Sequence, residues 1–350
     1  MDKGYLTFHR SPERHTYYLA GATHPIFDPV TKAWIITDRQ CCERLLASPD
    51  TRPATYSDDY VALNKRLGID FSNVLLAFFH IPMCLHDEEH KNARRRVAEH
   101  MAARRSDLSA CMKESLAVHL EPLRREGEVE IVRQVLEPLI LSVTEPLTDV
   151  PPALAADCRT VSTIFDKSIG PRKRQRVEAE LDHMRAAIAS KLGPNASEDA
   201  IGLRLALAVL GRDTLLGTLG ESLFCILSAN QGRRLNEITY PRVPPETGVP
   251  YIERVVVKSF CDHETEFNTG DRLRIYVQTF AYSDSPRERA QIFGVGSHLC
   301  LGKALSLDLW NGIASSLSTI PLYADIVSHT LRTDDYVFLC PSNLTLRLRP

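Results

Sequence analysis

Phe293-Gly294-Val295-Gly296-Ser297-His298-Leu299-Cys300-Leu301-Gly302, followed by Lys303-Ala304-Leu305, is the stretch from which the rest of the chain is read. A thiolate that ligates a metal needs a depressed pKa and close protection. A loop running into a helix N-terminus supplies both, through backbone N–H groups and the positive end of the helix dipole. Gly294, Gly296 and Gly302 let the backbone turn tightly and lie close against a flat group. The apolar run from Ala304 to Trp310 provides the helix that follows. Gly-rich turns beside a buried cysteine also arise for purely structural reasons, but here several defined positions coincide.

The chain around this loop has 350 residues, 44% hydrophobic and 25% charged, which excludes disordered and low-complexity classes. No Gly/Ser linker, repeat or low-complexity segment divides it, so one large domain over residues 1–350 is expected. A net charge of -2 argues against a general nucleic-acid binder or a polybasic membrane protein. No apolar stretch follows Met1-Asp2-Lys3-Gly4, so no signal peptide is expected and a cytoplasmic location is. The most apolar run, Ile201 to Leu227, is interrupted by Arg204, Arg212, Asp213 and Glu221 and reads as a buried helix rather than a membrane anchor. The 9 cysteines are odd in number and contain no C-x-x-C pair, a pattern of reduced thiols rather than of a disulfide framework.

Periodicity sets the fold class. Leu108, Met112, Leu116, Leu120 and Leu123 recur at helical spacing. Val129 to Leu147 reads as helix broken near Pro138, and Val177, Leu181, Met184, Ile188 and Leu192 form one stripe ended by Gly193-Pro194. The 201–227 helix would run about 40 Å, through the centre of the molecule. Trp34 to Thr37 reads as a strand. Leu273, Ile275 and Val277 alternate with Arg272, Arg274 and Tyr276 as in a half-buried strand, and Leu344, Leu346 and Leu348 alternate again. The expectation is a mainly α fold with small β-sheets.

Residues 293–302 resemble the haem-binding loop of the cytochrome P-450 family, F-G-x-G-x-H-x-C-x-G, at every defined position. Three further stretches resemble that family in the right order, so the likeness covers about residues 20 to 350. His90 and Arg94, one helical turn apart, look like the pair that meets a haem propionate. Leu210-Gly211-Arg212-Asp213-Thr214 looks like the oxygen-activation segment, and Arg254 in Tyr251-Ile252-Glu253-Arg254 like another propionate ligand. The resemblance implies haem b with Cys300 as axial ligand of the iron, and Phe293, Gly294, His298 and Gly302 among the cofactor-binding residues. It also implies Thr214 as a positioning hydroxyl, Asp213 as a proton relay, and electrons from NAD(P)H through a ferredoxin or flavodoxin and its reductase.

The resemblance implies a small or medium organic substrate of secondary metabolism, either free or carrier-tethered. Such a substrate touches the loop from Tyr56 to Phe79, Leu207 and Leu210, Thr247 to Ile252, and Tyr336 to Phe338. Lys91, Arg95, Arg96, Arg104 and Arg105 read as a basic surface for an acidic electron carrier, and Arg172 to Arg176 as a basic run at an access lid.

The chain departs from the family where E-x-x-R is usual: Glu237-Ile238-Thr239-Tyr240 carries Tyr in place of Arg, and the following meander is short. Loss of a whole ion-pair network is tolerable in a way that loss of one partner is not. Glu237 is therefore expected to be exposed or re-paired, with Arg242, Arg287 or Arg289 as candidates. Beside the monooxygenase reading stands a degenerate haem-thiolate protein: a peroxygenase, a rearrangement catalyst or a haem or ligand binder. A third reading is a metal-dependent hydrolase using His86 and His90, although the zincin motif has Glu where this chain has Asp87.

Overall fold

A computed structural model describes residues 24–350 except 30, 167–168, 263 and 333–336. The helices are α1 (Arg39–Ala47), α2 (Ser57–Leu67), α3 (Ser72–Phe78), α4 (Asp87–Ala103), α5 (Arg105–His119), α6 (Glu137–Thr148), α7 (Pro152–Asp157), α8 (Pro171–Leu192), α9 (Glu198–Ala229), α10 (Pro286–Arg289) and α11 (Lys303–Leu317). The strands are β1 (Ile26–Asp28), β2 (Ala33–Ile36), β3 (Thr51–Pro53), β4 (Gly127–Glu130), β5 (Ile252–Val256), β6 (Phe260–Asp262), β7 (Thr265–Phe267), β8 (Arg272–Ile275), β9 (Tyr323–Leu331) and β10 (Pro341–Arg349). They form a sheet in the order β1-β2-β8-β5-β3, a second in the order β4-β10-β9, and the pair β6-β7. The molecule is mainly α with small sheets from both ends of the chain, as expected.

The centre is α9, 32 residues long and about 48 Å at 1.5 Å per residue. Ser197 caps it by accepting from the Ala200 N–H at 3.2 Å, and Glu198 and Asp199 favour its first turn. Its apolar residues cover every face, and Arg204, Arg212, Asp213 and Glu221 are paired with Asp149, Glu137, Arg332 and His329, so it lies inside the protein. Its C-terminal half packs with α6, α11 and the β4-β10-β9 sheet around Leu136, Leu219, Trp310 and Leu344. Its N-terminal half packs with α3, α8 and a 3-10 turn at Val161–Phe165. Among the described residues no helix is long and apolar enough to cross a membrane.

Three expectations need correction. Gly127–Glu130 is a strand paired with β10, not the start of a helix. Glu130 turns the chain out of it, its carboxylate accepting from the Val132 and Arg133 N–H groups at 3.2 and 2.7 Å. The expected break near Pro138 is present, as a π-turn at Val132–Leu136, because proline cannot donate to the α-ladder. The strand at 273–277 stops at Ile275, with Val277 already in a 3-10 turn. Nor does the charged face of β8 point to water. Arg272 donates to both oxygens of buried Glu253 at 2.8 and 2.9 Å, and Arg274 to one at 3.0 Å. Burial pushes the Glu253 carboxyl up, but the two arginines outweigh it and hold that carboxyl below the ordinary carboxylate range.

Glu246, between α9 and β5, has no such cation. Burial pushes its carboxyl up to about 7; the Gln278 amide, donating at 3.1 Å, offsets this only partly, and Glu221 adds to it. The folded protein therefore binds a proton more tightly than the unfolded chain, whose value is near 4.5. Its stabilising effect is complete below pH 4.5 and is lost as the pH rises through 7. Glu246→Gln is expected to flatten the fall in unfolding free energy between pH 5 and pH 8 by about 2–3 kcal/mol. Denaturant titrations at the two pH values measure it, and parallel curves for both proteins refute it.

Candidate haem-thiolate site

The loop ahead of α11 is built by its glycines and by one backbone bond. The Cys300 N–H donates to the Phe293 carbonyl at 2.8 Å, closing the loop on itself. Gly294 makes this possible with φ at 84°, and a Cβ there would press within 3.3 Å of the His298 carbonyl. At Gly302 the chain turns into α11, whose first N–H groups face Cys300. Burial pushes the Cys300 thiol up, while the Gly302 and Lys303 N–H groups and the charges of Arg94 and Lys303 act to lower it. The residue nevertheless keeps exposed surface. The described cysteines are all free.

Four basic side chains from three separate elements converge beside this loop. His90 and Arg94 come from α4, Arg254 from β5 and His298 from the loop itself. The rings of His90 and His298 stack with centroids 3.9 Å apart, and Arg94 donates to the Leu299 carbonyl at 2.7 Å. Arg254 is 2% exposed, and among the described residues no carboxylate pairs with it. Its Nε, the His90 Nε2 and the His298 Nδ1 are all buried without a hydrogen-bond partner. Burial pulls the Arg254 guanidinium down to about 10. Burial, with Arg254, His90 and Arg94 alongside, drives His298 down to about 3. Buried donors of one sign with no acceptor amount to a site made for an anion.

The remaining residues expected at the site lie on α9. Between Ile201 and Leu223 it is buried except at Leu207, Ala208, Leu210, Gly211, Arg212 and Thr214. Leu207, Leu210 and Thr214 follow at spacings of three and four, one face of the helix. Ile252, also partly exposed, lies against the loop, 3.9 Å from a Cβ built on Gly294. The Thr214 hydroxyl donates to the Leu210 carbonyl at 2.5 Å, loosening the ladder at that turn. A flat group lying on Cys300, with acidic substituents toward Arg254 and the two histidines, fits the donors present. His90, Arg94, Arg254, His298 and Ile252 thus gather beside the loop, while Leu207, Leu210 and Thr214 share one partly exposed face of α9.

Several expectations fare differently in detail. Asp213 is buried and already engaged: its carboxylate accepts from Arg332 at 2.9 Å and from the Ser162 hydroxyl, with Arg212 at 3.7 Å. Glu237 is exposed, and its carboxylate accepts from the Arg234 N–H at 3.2 Å rather than from Arg242, Arg287 or Arg289. The helix that would carry E-x-x-R is reduced to a 3-10 turn, Leu235–Glu237. Trp310 of α11 is fully buried, and its indole N–H donates to the Pro241 carbonyl at 2.7 Å. In the basic patch, Lys91 is paired with Glu88, Arg96 with Asp199 and Arg104 with Asp149. In the run 172–176, Arg174 is buried over the Tyr60 ring and Arg176 is paired with Glu180. His86 is half-buried beside exposed Asp87, while His90 stacks on His298. Tyr336 lies outside the described residues. Arg332, Ser162 and Trp310 carried no local sequence signal.

Tyr240 is half-buried against the core and donates to the Leu235 carbonyl at 3.2 Å. Tyr240→Arg is therefore expected to cost about 1–3 kcal/mol, lowering the denaturant midpoint without raising haem uptake. A rise in both would show that the partners of the lost network persist.

No family model matches the chain, and no curated protein matches it either. Solved structures do. The chain is similar to the crystal structure of CalO2, with a TM-score of 0.76 and 14% identity over 100% of this chain and 99% of that one. It is similar to P450BioI in complex with acyl carrier protein ligated to hexadec-9Z-enoic acid, with a TM-score of 0.76 and 14% identity over 98% and 100%. It is also similar to the Bacillus subtilis cytochrome P450 PksS of bacillaene polyketide synthase, at 0.74 and 16% over 98% of each chain. Such identities carry no activity across, but with the loop, the long central helix and both sheets in place, the chain has the cytochrome P450 fold along its whole length.

Proposed function

We propose that residues 1–350 form one haem-thiolate unit, a monooxygenase of specialised metabolism acting on a small or medium organic substrate in the cytoplasm. The observation that carries this reading is the convergence of Arg254, His90, Arg94 and His298, without a counter-ion, beside Cys300. When bound, haem b supplies the activation of dioxygen, with electrons from NAD(P)H through a ferredoxin or flavodoxin and its reductase. Cys300 Sγ ligates the iron, and the Gly302 and Lys303 N–H groups hold its negative charge. Arg254, Arg94 and the two histidines hold the propionates by charge-assisted hydrogen bonds. Phe293 and Gly294 shape the loop. Leu207, Leu210 and Ile252 would face the substrate and keep water from it, with the Thr214 hydroxyl beside them. Asp213 supplies protons only after turning away from Arg332 and Ser162. Names of the structural neighbours, an acyl carrier protein complex and a polyketide synthase enzyme among them, support the assignment to specialised metabolism and a carrier-tethered substrate.

The decisive measurement is the absorption spectrum of the purified protein, reduced under carbon monoxide. A red-shifted thiolate-type Soret band is expected, and its absence overturns the reading. The engagement of Asp213 with Arg332 favours one alternative, a haem-thiolate protein that uses peroxide or rearranges its substrate without a proton relay. Product-coupled NADPH consumption with ferredoxin and reductase excludes that alternative.

A further inference from the structure

The segment 246–248, between α9 and β5, is fastened to the central helix by its backbone. The Glu246 N–H donates to the Ser222 hydroxyl at 3.1 Å, and the Gly248 N–H to the Thr218 hydroxyl at 2.9 Å. Thr218 donates in turn to the Thr214 carbonyl at 2.8 Å. The approach is so close that a Cβ on Gly248 would lie 2.6 Å from the Thr214 carbonyl oxygen and 2.9 Å from the Gly217 Cα. The Leu339 N–H donates to the Gly248 carbonyl at 2.9 Å, which ties the chain just before β10 to the same point. A shift of this segment therefore bears directly on the turn of α9 that carries Thr214.

Glu246 is the one charged residue of the segment, and its surroundings suit the neutral form. Glu221 and Cys225 of α9 lie around it, with Gln278 and Tyr282 of the 3-10 turn at Val277–Tyr282. Glu221 is buried and already held by His329 of β9, whose ring stacks on Phe224 at 3.7 Å. Among the described residues no cation pairs with Glu246. Gln278, 5% exposed, donates from one nitrogen to the Glu246 carboxylate and to the Tyr282 hydroxyl, each at 3.1 Å, while its own carbonyl oxygen is buried without a donor. This corner holds acceptors in excess, and a protonated carboxyl is a donor of the kind it lacks. An ionised carboxyl adds a second charge near Glu221, with one amide to receive it.

Resting on the haem-thiolate reading for its effect on the site, we propose that Glu246 is a positioning residue that works as a pH-sensitive clasp: protonated, it keeps the segment 246–248 closed on α9 and the Thr214 turn in place, and on ionisation it loosens both. The direction follows from proton linkage. A carboxyl that holds its proton more tightly in the closed form favours that form at low pH, and the advantage is lost as the pH rises through about 7. With an open-state value near 4.5, the weight of the closed form falls about tenfold between pH 6 and pH 8.

The test is amide hydrogen exchange of the purified protein at pH 6 and pH 8, corrected for intrinsic exchange rates. Peptides covering 246–249 and 214–222 are expected to lose about tenfold in protection at the higher pH, while α8 keeps its own. Glu246→Gln, which fixes the neutral form, is expected to stay protected at both. Glu221→Gln, which keeps a partner for His329 and removes the neighbouring charge, is expected to move the loss to lower pH. No loss, a loss spread evenly over the molecule, or one that Glu246→Gln does not remove overturns the clasp. Carbon monoxide rebinding to the reduced haem after flash photolysis reads the effect on the site. Its rate is expected to rise from pH 6 to pH 8 in the unmutated protein and to stay constant in Glu246→Gln; equal rates in the unmutated protein overturn that effect. The carbon monoxide spectrum is recorded on the same samples. A missing thiolate-type band with pH-dependent exchange defeats the haem reading and the effect on the site built on it, leaving the clasp, and an intact band with pH-independent exchange defeats the clasp alone.

Discussion

Cys300→Ser is expected to abolish the thiolate-type carbon monoxide band completely while leaving the haem-free fold within about 1 kcal/mol of the unmutated protein. A serine hydroxyl stays protonated at neutral pH and cannot take the place of a thiolate on iron. The surroundings of Cys300 are arranged for the charged form: two N–H groups at the start of α11 and the cations of Arg94 and Lys303 oppose the burial that raises its pKa. A bound metal ion supplies the remaining stabilisation, since a coordinating thiol loses its proton outright. The other cysteines are differently placed. Burial pushes Cys42 and Cys84 up without a compensating cation, which leaves them inert thiols. Cys261 is exposed but lies in β6, remote in sequence from the loop. Cys261→Ser should therefore leave the band intact. A Cys300→Ser protein that kept the band, or a Cys261→Ser protein that lost it, would remove the ligand assignment.

The parts of this molecule legible in its sequence are those set by short-range patterns. The loop at 293–302 is a local constellation of glycines, His298 and Cys300, and α9 is a long apolar run with an evident cap at Ser197. His90 and Arg94 are one turn apart and could be placed on one helix face. Pairings between distant side chains have no such signature. Arg332 reaches Asp213 across 119 positions, and Arg272 finds Glu253 only because β5 and β8 are neighbours in register. The alternation in β8 therefore read as a wet face, while the structure covers it with a buried carboxylate. β4 was read as helix for a related reason: four residues are too few for a period to declare itself, and its pairing with β10 comes from the far end of the chain.

The buried cation of Arg254 leads to a prediction whose sign differs between two states of the protein. Adjacent residues on β5 have opposite fates, because successive side chains of a strand face opposite ways. Glu253 is satisfied by Arg272 and Arg274, whereas Arg254 is 2% exposed with its Nε unpartnered and Arg94, His90 and His298 for company. Its guanidinium, though pulled down to about 10, remains charged at neutral pH. A buried charge with no anion beside it, and with the Arg94 cation in the same cluster, weakens the haem-free fold by several kcal/mol after relaxation. Arg254→Met, similar in length and neutral, is therefore expected to stabilise the haem-free protein by about 1–3 kcal/mol. The same change removes a charge-assisted hydrogen bond to the propionates, and haem retention should fall about 10–100-fold, the usual cost of losing a group that orients a metal centre. Arg254→Lys keeps the charge but not the fork, so it should recover part of the retention and none of the stability. Denaturant midpoints of the haem-free proteins and haem transfer to apomyoglobin read the two effects separately. A Met variant that loses stability without haem, or holds haem as tightly as before, would show that Arg254 is a structural residue. In that case the cluster beside Cys300 would not be an anion site.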